Sequence, residues 1–382
     1  MSLVARVRIL VLLAVVTTPR LARAGGGAAT DAYQGVGDRP LEVHGLADVY
    51  AQYAFQQPPS GGITYRAFDD VAGPSLGLLR LTVAHAPGPV GFRVDAGVGD
   101  LPNAYMQSDP GATESPEVAR ALSYLEQAFV TLRPVPARDL AVDAGKFSTP
   151  VGLEDNESVT NWNYSRSLLF TLAEPTYHTG VRATVGRREG LSLSAFWLNG
   201  WNANVVGGDG MRSVAAAATW KGMAGTEPLE AAVVYAAGLE RAPTHLDDPT
   251  ESFRHELDAY VSTSVRERLD VAATLDYGMD ARGGGVSWWG VAGYLRYWFT
   301  PWLAAAVRGE HLADTDGFLT GTAQRMAGLT GTLQIEHTVG PFQLLGWLEY
   351  RRDAADAPVF PAHAAQLVLH QDTLTVACAA AF

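Results

Sequence analysis

Residues 148–177 gather four acids, Glu154, Asp155, Glu157 and Glu174, around a single base, Arg166. Clustered carboxylates can set a field that acts on a charged solute, opposite arginines on a pore wall. Trp162, Tyr164, Phe170 and Tyr177 interleave with the charges, and Leu168-Leu169-Phe170 is wholly apolar. Segments of this length are usually functional or disordered, and this one is too apolar to remain solvated. It is expected to pack against a surface, either folded inward as a constriction or folded outside as a cap.

Other patterns that touch on catalysis or metal binding are incomplete. Gly73-Pro74-Ser75-Leu76-Gly77 fits G-x-S-x-G, but that elbow needs a strand before the Ser and a helix after it. Here a loop precedes, and the alternating run LGLLRLTVAH follows. Asp314-Thr315-Asp316-Gly317 lacks the third ligand position and the distal Glu of a calcium loop, and reads as a turn. The nine histidines are scattered without metal-ligand spacing. Cys378 is the sole cysteine, so no internal disulfide forms, and on an apolar strand face it serves as a small hydrophobe. No enzyme, cofactor or metal site is expected.

The elements that must hold the acidic segment are strands. Leu257, Ala259, Val261 and Thr263 alternate with Asp258, Tyr260, Ser262 and Ser264, and the same period of two recurs from residue 41 to Phe382. Sixteen strands are expected, near 41–55, 75–86, 90–100, 121–133, 138–147, 178–187, 191–199, 211–220, 229–239, 254–265, 269–278, 287–299, 302–312, 324–338, 342–352 and 367–382. Tight links such as Thr300-Pro301 and Val339-Gly340-Pro341 alternate with long ones such as 56–74, 101–120 and 148–177. The links 221–228 and 279–286 fit that alternation least well. Short turns on one rim and long loops on the other define a transmembrane antiparallel up-and-down β-barrel of about sixteen strands, within fourteen to eighteen. Trp288, Trp289, Tyr297, Trp298, Phe299 and Trp302 gather at strand ends, flanking the Thr300-Pro301 turn and its strand, as interfacial girdles would.

Parity then assigns the charges. Arg93, Asp95, Asp143, Arg182, Asp258, Asp270, Asp276, Arg296, Arg308, Glu310, Glu336, Glu349 and Arg351 all fall on the inward face. Unpaired charge in an apolar interior costs several kcal/mol each, so this many inward charges imply an interior filled with water. The expected mechanism is sieving by width plus a field between wall arginines and the acidic segment.

Arg6 and Arg8, the apolar run Ile9 to Val16, and Ala22-Arg23-Ala24 form an export signal cleaved near Ala24. Residues 25–40 would then be a short N-terminal segment and 41–382 the barrel. Losing the four arginines of the signal takes the formal charge from −12 to −16 and leaves two lysines, Lys146 and Lys221. That balance excludes nucleic acid as a partner and leans a pore weakly toward cations.

The blocks GKFSTPVGLE (145–154), NYSRSLLF (163–170), Pro175 with HTGVR (178–182) and NGWN (199–202) resemble the OmpL-like family of Gram-negative outer-membrane β-barrel porins. So do GVAGYLRYWFTPWLAAAVRGEHLADTDGFLTG (290–321), LEYRRDAADAPVF (348–360) and QDTLTVACAAAF (371–382). The resemblance implies a bacterial outer-membrane location and passive diffusion of small hydrophilic solutes or ions. An anion- or phosphate-preferring pore, or a plugged structural or adhesive barrel, are the alternatives. Leu374, Val376, Cys378, Ala380 and Phe382 share one face of the closing strand, and its aromatic end, Phe382, is expected to be read by the barrel-assembly machinery. Outer-membrane lipid is the expected surroundings, and a homo-trimer is left open.

Overall fold

The computed structural model describes residues 41–382 apart from 86–88, 113–114, 135–138, 187–189, 205–211, 244–245 and 247–249. The expected signal (1–24), the segment 25–40, and parts of three tight turns fall outside those residues.

Residues that alternate in polarity form strands here, and the strands close on themselves. In chain order they are β1 (Glu42–Ala54), β2 (Gly73–His85), β3 (Val90–Val98), β4 (Leu125–Leu132), β5 (Leu140–Ser148) and β6 (Tyr177–Gly186). Then come β7 (Leu191–Leu198), β8 (Ser213–Ala224), β9 (Glu227–Arg241), β10 (Glu251–Val265) and β11 (Leu269–Asp280). The wall continues with β12 (Val286–Thr300), β13 (Leu303–Asp314), β14 (Gln324–Val339) and β15 (Phe342–Ala355), and ends with β18 (His370–Ala381). Each strand pairs antiparallel with its chain neighbours, and β18 sits between β15 and β1. The sixteen-stranded antiparallel barrel expected from periodicity and link lengths is therefore the fold. Two short strands, β16 (Phe360–Pro361) and β17 (Leu367–Val368), make a separate hairpin above the wall.

The barrel is inverted relative to a water-soluble protein. Leu79, Val233, Leu295, Val307, Leu329 and Val376 are about half exposed on its outside. Inside, Asp95, Asp143, Thr330, Glu349 and Arg351 are almost wholly covered. An apolar outer surface over a polar interior is what hydrocarbon selects in a β-barrel. No described helix is long and apolar enough to cross a membrane.

Several local expectations change. Residues 101–120, read as a loop, hold α1 (Asp100–Ser108) and most of α2 (Pro116–Ser123). The apparent long link at 221–228 disappears because β8 and β9 extend to a two-residue turn, with Met223 opposite Pro228 and Gly225 at φ +69°. Gly at such a φ closes a tight hairpin without steric cost. The last wall strand starts at His370, because Leu367 and Val368 pair with β16 instead. The aromatic cluster also divides. Trp289, Tyr297, Phe299 and Trp302 face outward, whereas Trp288 is buried against Phe318, with ring centroids 5.1 Å apart. Trp298 turns its Nε1–H to Asp270, 3.2 Å away. Parity explains the split: adjacent residues of a strand cannot share a face.

Candidate functional site

The segment between β5 and β6, residues 149–176, owes its order to its own Asn and Ser side chains. Asn161 Nδ2 donates to the carbonyls of Asp155 and Glu157, both at 2.8 Å, and Asp155 N–H donates back to Asn161 Oδ1 at 2.9 Å. That ring of bonds closes residues 155–161 into a compact turn, as short polar side chains do. Ser167 Oγ accepts from Phe170 N–H at 3.0 Å, at the entry to the single π-helical turn Leu169–Ala173.

From this turn and its flanks, contacts reach inward-facing side chains of β1, β2, β13, β14 and β15. Glu349 accepts the backbone N–H groups of Tyr164 (2.7 Å) and Ser165 (3.1 Å), and Glu310 accepts that of Leu168. Arg308 donates to Glu154 Oε1 at 2.8 Å and to the carbonyls of Ser165 (2.6 Å) and Arg166 (3.1 Å). Arg351 donates to the Arg166 carbonyl, and Asn163 to Thr332 Oγ1 at 2.7 Å. Tyr164 Oη donates to Asp48 at 3.1 Å, Ser158 bonds the same carboxylate, and Arg80 forms a fork with Glu157. Leu168, Leu169, Phe170 and Ala173 are almost wholly buried. Leu168, Leu169 and Ala173 pack with Trp162 against Tyr260, Trp288, Tyr294 and Leu312 of the wall.

The charges named from parity do occupy inward positions, but their surroundings differ from the expectation of water. Arg308, Glu310, Glu349 and Arg351 are at most 7% exposed. Protein groups, not solvent, satisfy them: carbonyls and N–H groups of 164–168, and the partners Glu154 and Asp353. Buried charge is tolerated when paired and hydrogen-bonded, so inward charge alone did not require water at this level. The field between wall arginines and loop acids is likewise a contact for two of the acids, since Glu154 touches Arg308 and Glu157 touches Arg80.

Elsewhere the named residues pair along the wall. Asp95 accepts from Arg93 and Gln127, both at 2.8 Å. Asp143 accepts from Arg182 at 2.8 Å and Thr131 at 2.6 Å, and Arg296 reaches Asp270 at 2.8 Å. Glu336 accepts from Gln334 at 2.8 Å, nearer the short-turn rim. Arg166 turns back on its own segment, bonding the carbonyls of Tyr164 (2.6 Å), Asp155 (3.2 Å) and Asn156, with its guanidinium over the Phe68 ring. Asp155 and Glu174 form no ion pair among the described residues. Burial first, and then the Glu157 charge, lifts Asp155 to about 6. Asp258 and Asp276 stand beside Glu174 on β10 and β11, also without a base.

Sequence reasoning missed Asp48, Arg80, Arg66, Asp69 and Asp353. Asp48 and Arg80 were within reach of the parity rule that found the others. Arg66 and Asp69 lie in the β1–β2 connection, where no periodicity marks them, yet Arg66 is buried against Asp69 (3.2 Å), Asp353 (3.5 Å) and Thr373 (2.8 Å). No group of three or more His, Cys, Asp or Glu among the described residues has metal-holding geometry.

The model of a family described as beta-barrel porin-2, OmpL-like, matches residues 40–382. Solved structures with the same fold include an anion-selective porin from Comamonas acidovorans, 12% identical, with 90% of this chain and 99% of that chain covered and a TM-score of 0.55. The outer-membrane channel DcaP of Acinetobacter baumannii is also 12% identical, covered 90% and 97%, with a TM-score of 0.56. OmpT of Vibrio cholerae, in vitro folded and in a trimer form, is 8% identical, covered 90% and 99%, at 0.52. At such identities the likeness speaks for the fold alone. A comparison with curated proteins finds no match.

Proposed function

This chain belongs to the beta-barrel porin-2, OmpL-like family, and we propose that it is a porin passing small hydrophilic solutes or ions by passive diffusion, with a weak preference for cations. What supports a channel is the inverted barrel, whose inner wall carries ionised groups on strand after strand. In this reading residues 149–176 form the constriction, with Glu154, Asp155, Glu157, Arg166 and Glu174 as its charged edge. Arg93, Asp95, Asp143, Arg182, Asp258, Asp270, Asp276, Arg296, Arg308, Glu310, Glu336, Glu349 and Arg351 belong to its wall.

From β3 to β8 the segment packs through Val151 against Phe129, Phe147 and Phe196, but several inward polar groups of these strands keep some exposure. Side chains of Arg93 and Lys221 there are 28% and 31% exposed, and Thr184, Ser192, Ser194 and Thr219 are half-buried. A hydrated path along these groups favours polar solutes. The cation preference follows from what pairing leaves over: Glu154 and Glu157 are neutralised by Arg308 and Arg80, but Asp155, once charged, is not. Cleavage near Ala24, assembly through Phe382 and a homo-trimer in the outer membrane complete the proposal.

The deciding experiment is reconstitution of the purified protein in a planar bilayer. Ohmic current steps with cation-leaning reversal potentials are expected; absence of any conductance would overturn the channel reading.

A further inference from the structure

The segment 149–176 is held very differently at its two ends. Toward β13–β15 and β1, every wall carboxylate that meets it receives a donor. Toward β10 and β11, Asp258 Oδ2 takes the Thr274 hydroxyl at 3.2 Å and the Gly152 backbone reaches the same carboxylate, but between Glu174 and Asp276 carboxylate meets carboxylate. Glu174 Oε2, Asp258 Oδ1, both oxygens of Asp276 and both of Glu256 have no hydrogen-bond donor among the described residues, and all four side chains are more than nine-tenths buried. Asp276 lies within hydrogen-bonding reach of both Glu174 and Asp258, so acceptors face acceptors across the boundary between segment and wall.

The geometry leaves Glu174 no other place. Its carboxylate lies directly over Gly152, at φ +89°, where a Cβ would stand 1.8 Å from Oε2. The other charged or titratable groups around the cluster are Glu154 on the segment, Glu240 at the end of β9, Arg254 on β10 and Tyr294 on β12. Arg254 is committed to Asp280 at 3.2 Å and to the Arg241 carbonyl at 2.8 Å, and Glu154 to Arg308 at 2.8 Å. Without a base, such a contact holds only if a proton sits between the oxygens, as in carboxyl–carboxylate pairs.

We propose that Glu174, Asp276 and Asp258 form a proton-operated latch: shared protons fasten the 170–176 end of the segment to β10 and β11, and their loss releases it. Burial, then the neighbouring carboxylates, holds the Glu174 carboxyl well above its ordinary range. A raised carboxyl favours the neutral form, so the latch is closed at low pH and opens as pH rises through the raised value. Released, the segment clears the path, so current rises with pH. The inference rests on the channel reading only in this last step.

The test uses a nitroxide at Thr171→Cys in a Cys378→Ala background, with the full barrel in nanodiscs, read by electron paramagnetic resonance from pH 5 to 9. The label should be immobile at the acid end, and the latched-to-free ratio should fall by up to about tenfold per pH unit above the transition. Asp276→Asn supplies amide donors to both neighbours and should keep the label immobile throughout. Glu174→Ala should leave it mobile at every pH. Glu174→Gln repeats the locked state from the segment side, should the wall variant fail to fold. The titration should persist in Asp155→Asn, the segment's other raised carboxyl. A wild-type spectrum unchanged across this range, or one that still titrates in Asp276→Asn, overturns the latch. Currents recorded in parallel separate the two ideas: a titrating label without conductance refutes the pore and leaves the latch standing.

Discussion

Replacing Arg308 by Met should undock residues 149–176 while leaving the barrel closed. Arg308 is fully buried, and its guanidinium serves both sides of the boundary: Glu154 and the carbonyls of Ser165 and Arg166 on the segment, Glu310 and Thr330 on the wall. Removing one partner of a buried ion pair costs about 3–5 kcal/mol, because the remaining carboxylates are left without compensation. Undocking relieves that cost by letting water reach Glu154 and Glu310, so the loss falls on the docked state and not on the strand ladder. At about 1.4 kcal/mol per decade, the docked-to-undocked ratio drops by roughly two to nearly four orders of magnitude. Hydrogen exchange at the amides of Tyr164, Ser165 and Leu168, which donate to Glu349 and Glu310, reads this directly. Their protection should fall by about that factor, with strand amides of β13 and β14 unchanged. Arg308→Lys keeps the charge but loses the planar fork and should fall between. Wild-type protection at 164–168 in the Met variant, in a barrel with normal heat-shifted gel mobility, would refute the idea that this arginine is the clamp.

Two further outcomes follow from the same segment. With Asp155 lifted to about 6, the carboxylate is neutral below and charged above that pH. Cation preference in bilayer recordings should therefore strengthen between pH 5 and 7, and Asp155→Asn should flatten the change; an unaltered profile would place Asp155 away from the conducting path. Gly152→Ala forces a side chain onto Glu174 and into a backbone region unfavourable for Ala, costing about 1–3 kcal/mol. That substitution should lower protection of amides 168–173 in exchange experiments, whereas Gly293→Ala, which meets nothing within 4 Å, should leave them as they are.

The wall was legible from period-two alternation, where lipid on one side and charge on the other write opposite constraints onto neighbouring residues, taken together with the alternation of short and long links. Parity therefore placed Arg308, Glu349 and their companions on the correct face. What parity lacks is any record of what stands opposite a residue. Arg308 reads the same whether it meets water or the Ser165 carbonyl, which is why an interior of protein groups at this level was read as solvent. The docking of Glu157 on Arg80, and of Arg66 on Asp353, joins residues 77 to 287 positions apart. No spacing rule reaches across such separations. Helices α1 and α2 escaped for a related reason: both are short, and the β3–β4 connection was read by its length alone.

Tyr164 bonds Glu349 on β15 through its N–H and Asp48 on β1 through its hydroxyl, with β18 between them. Arg66 repeats the arrangement, reaching Thr373 on β18 and Asp353 on β15 from the connection that follows β1. These side chains span the seam where the first and last strands of the wall meet. They act as internal stitches that tie the β15 and β18 side of the wall to the β1 side. Contacts of such long range form late and slowly. The bond from the Tyr164 hydroxyl to Asp48 is therefore expected to form late, after the β15 side of the wall has been brought round to β1.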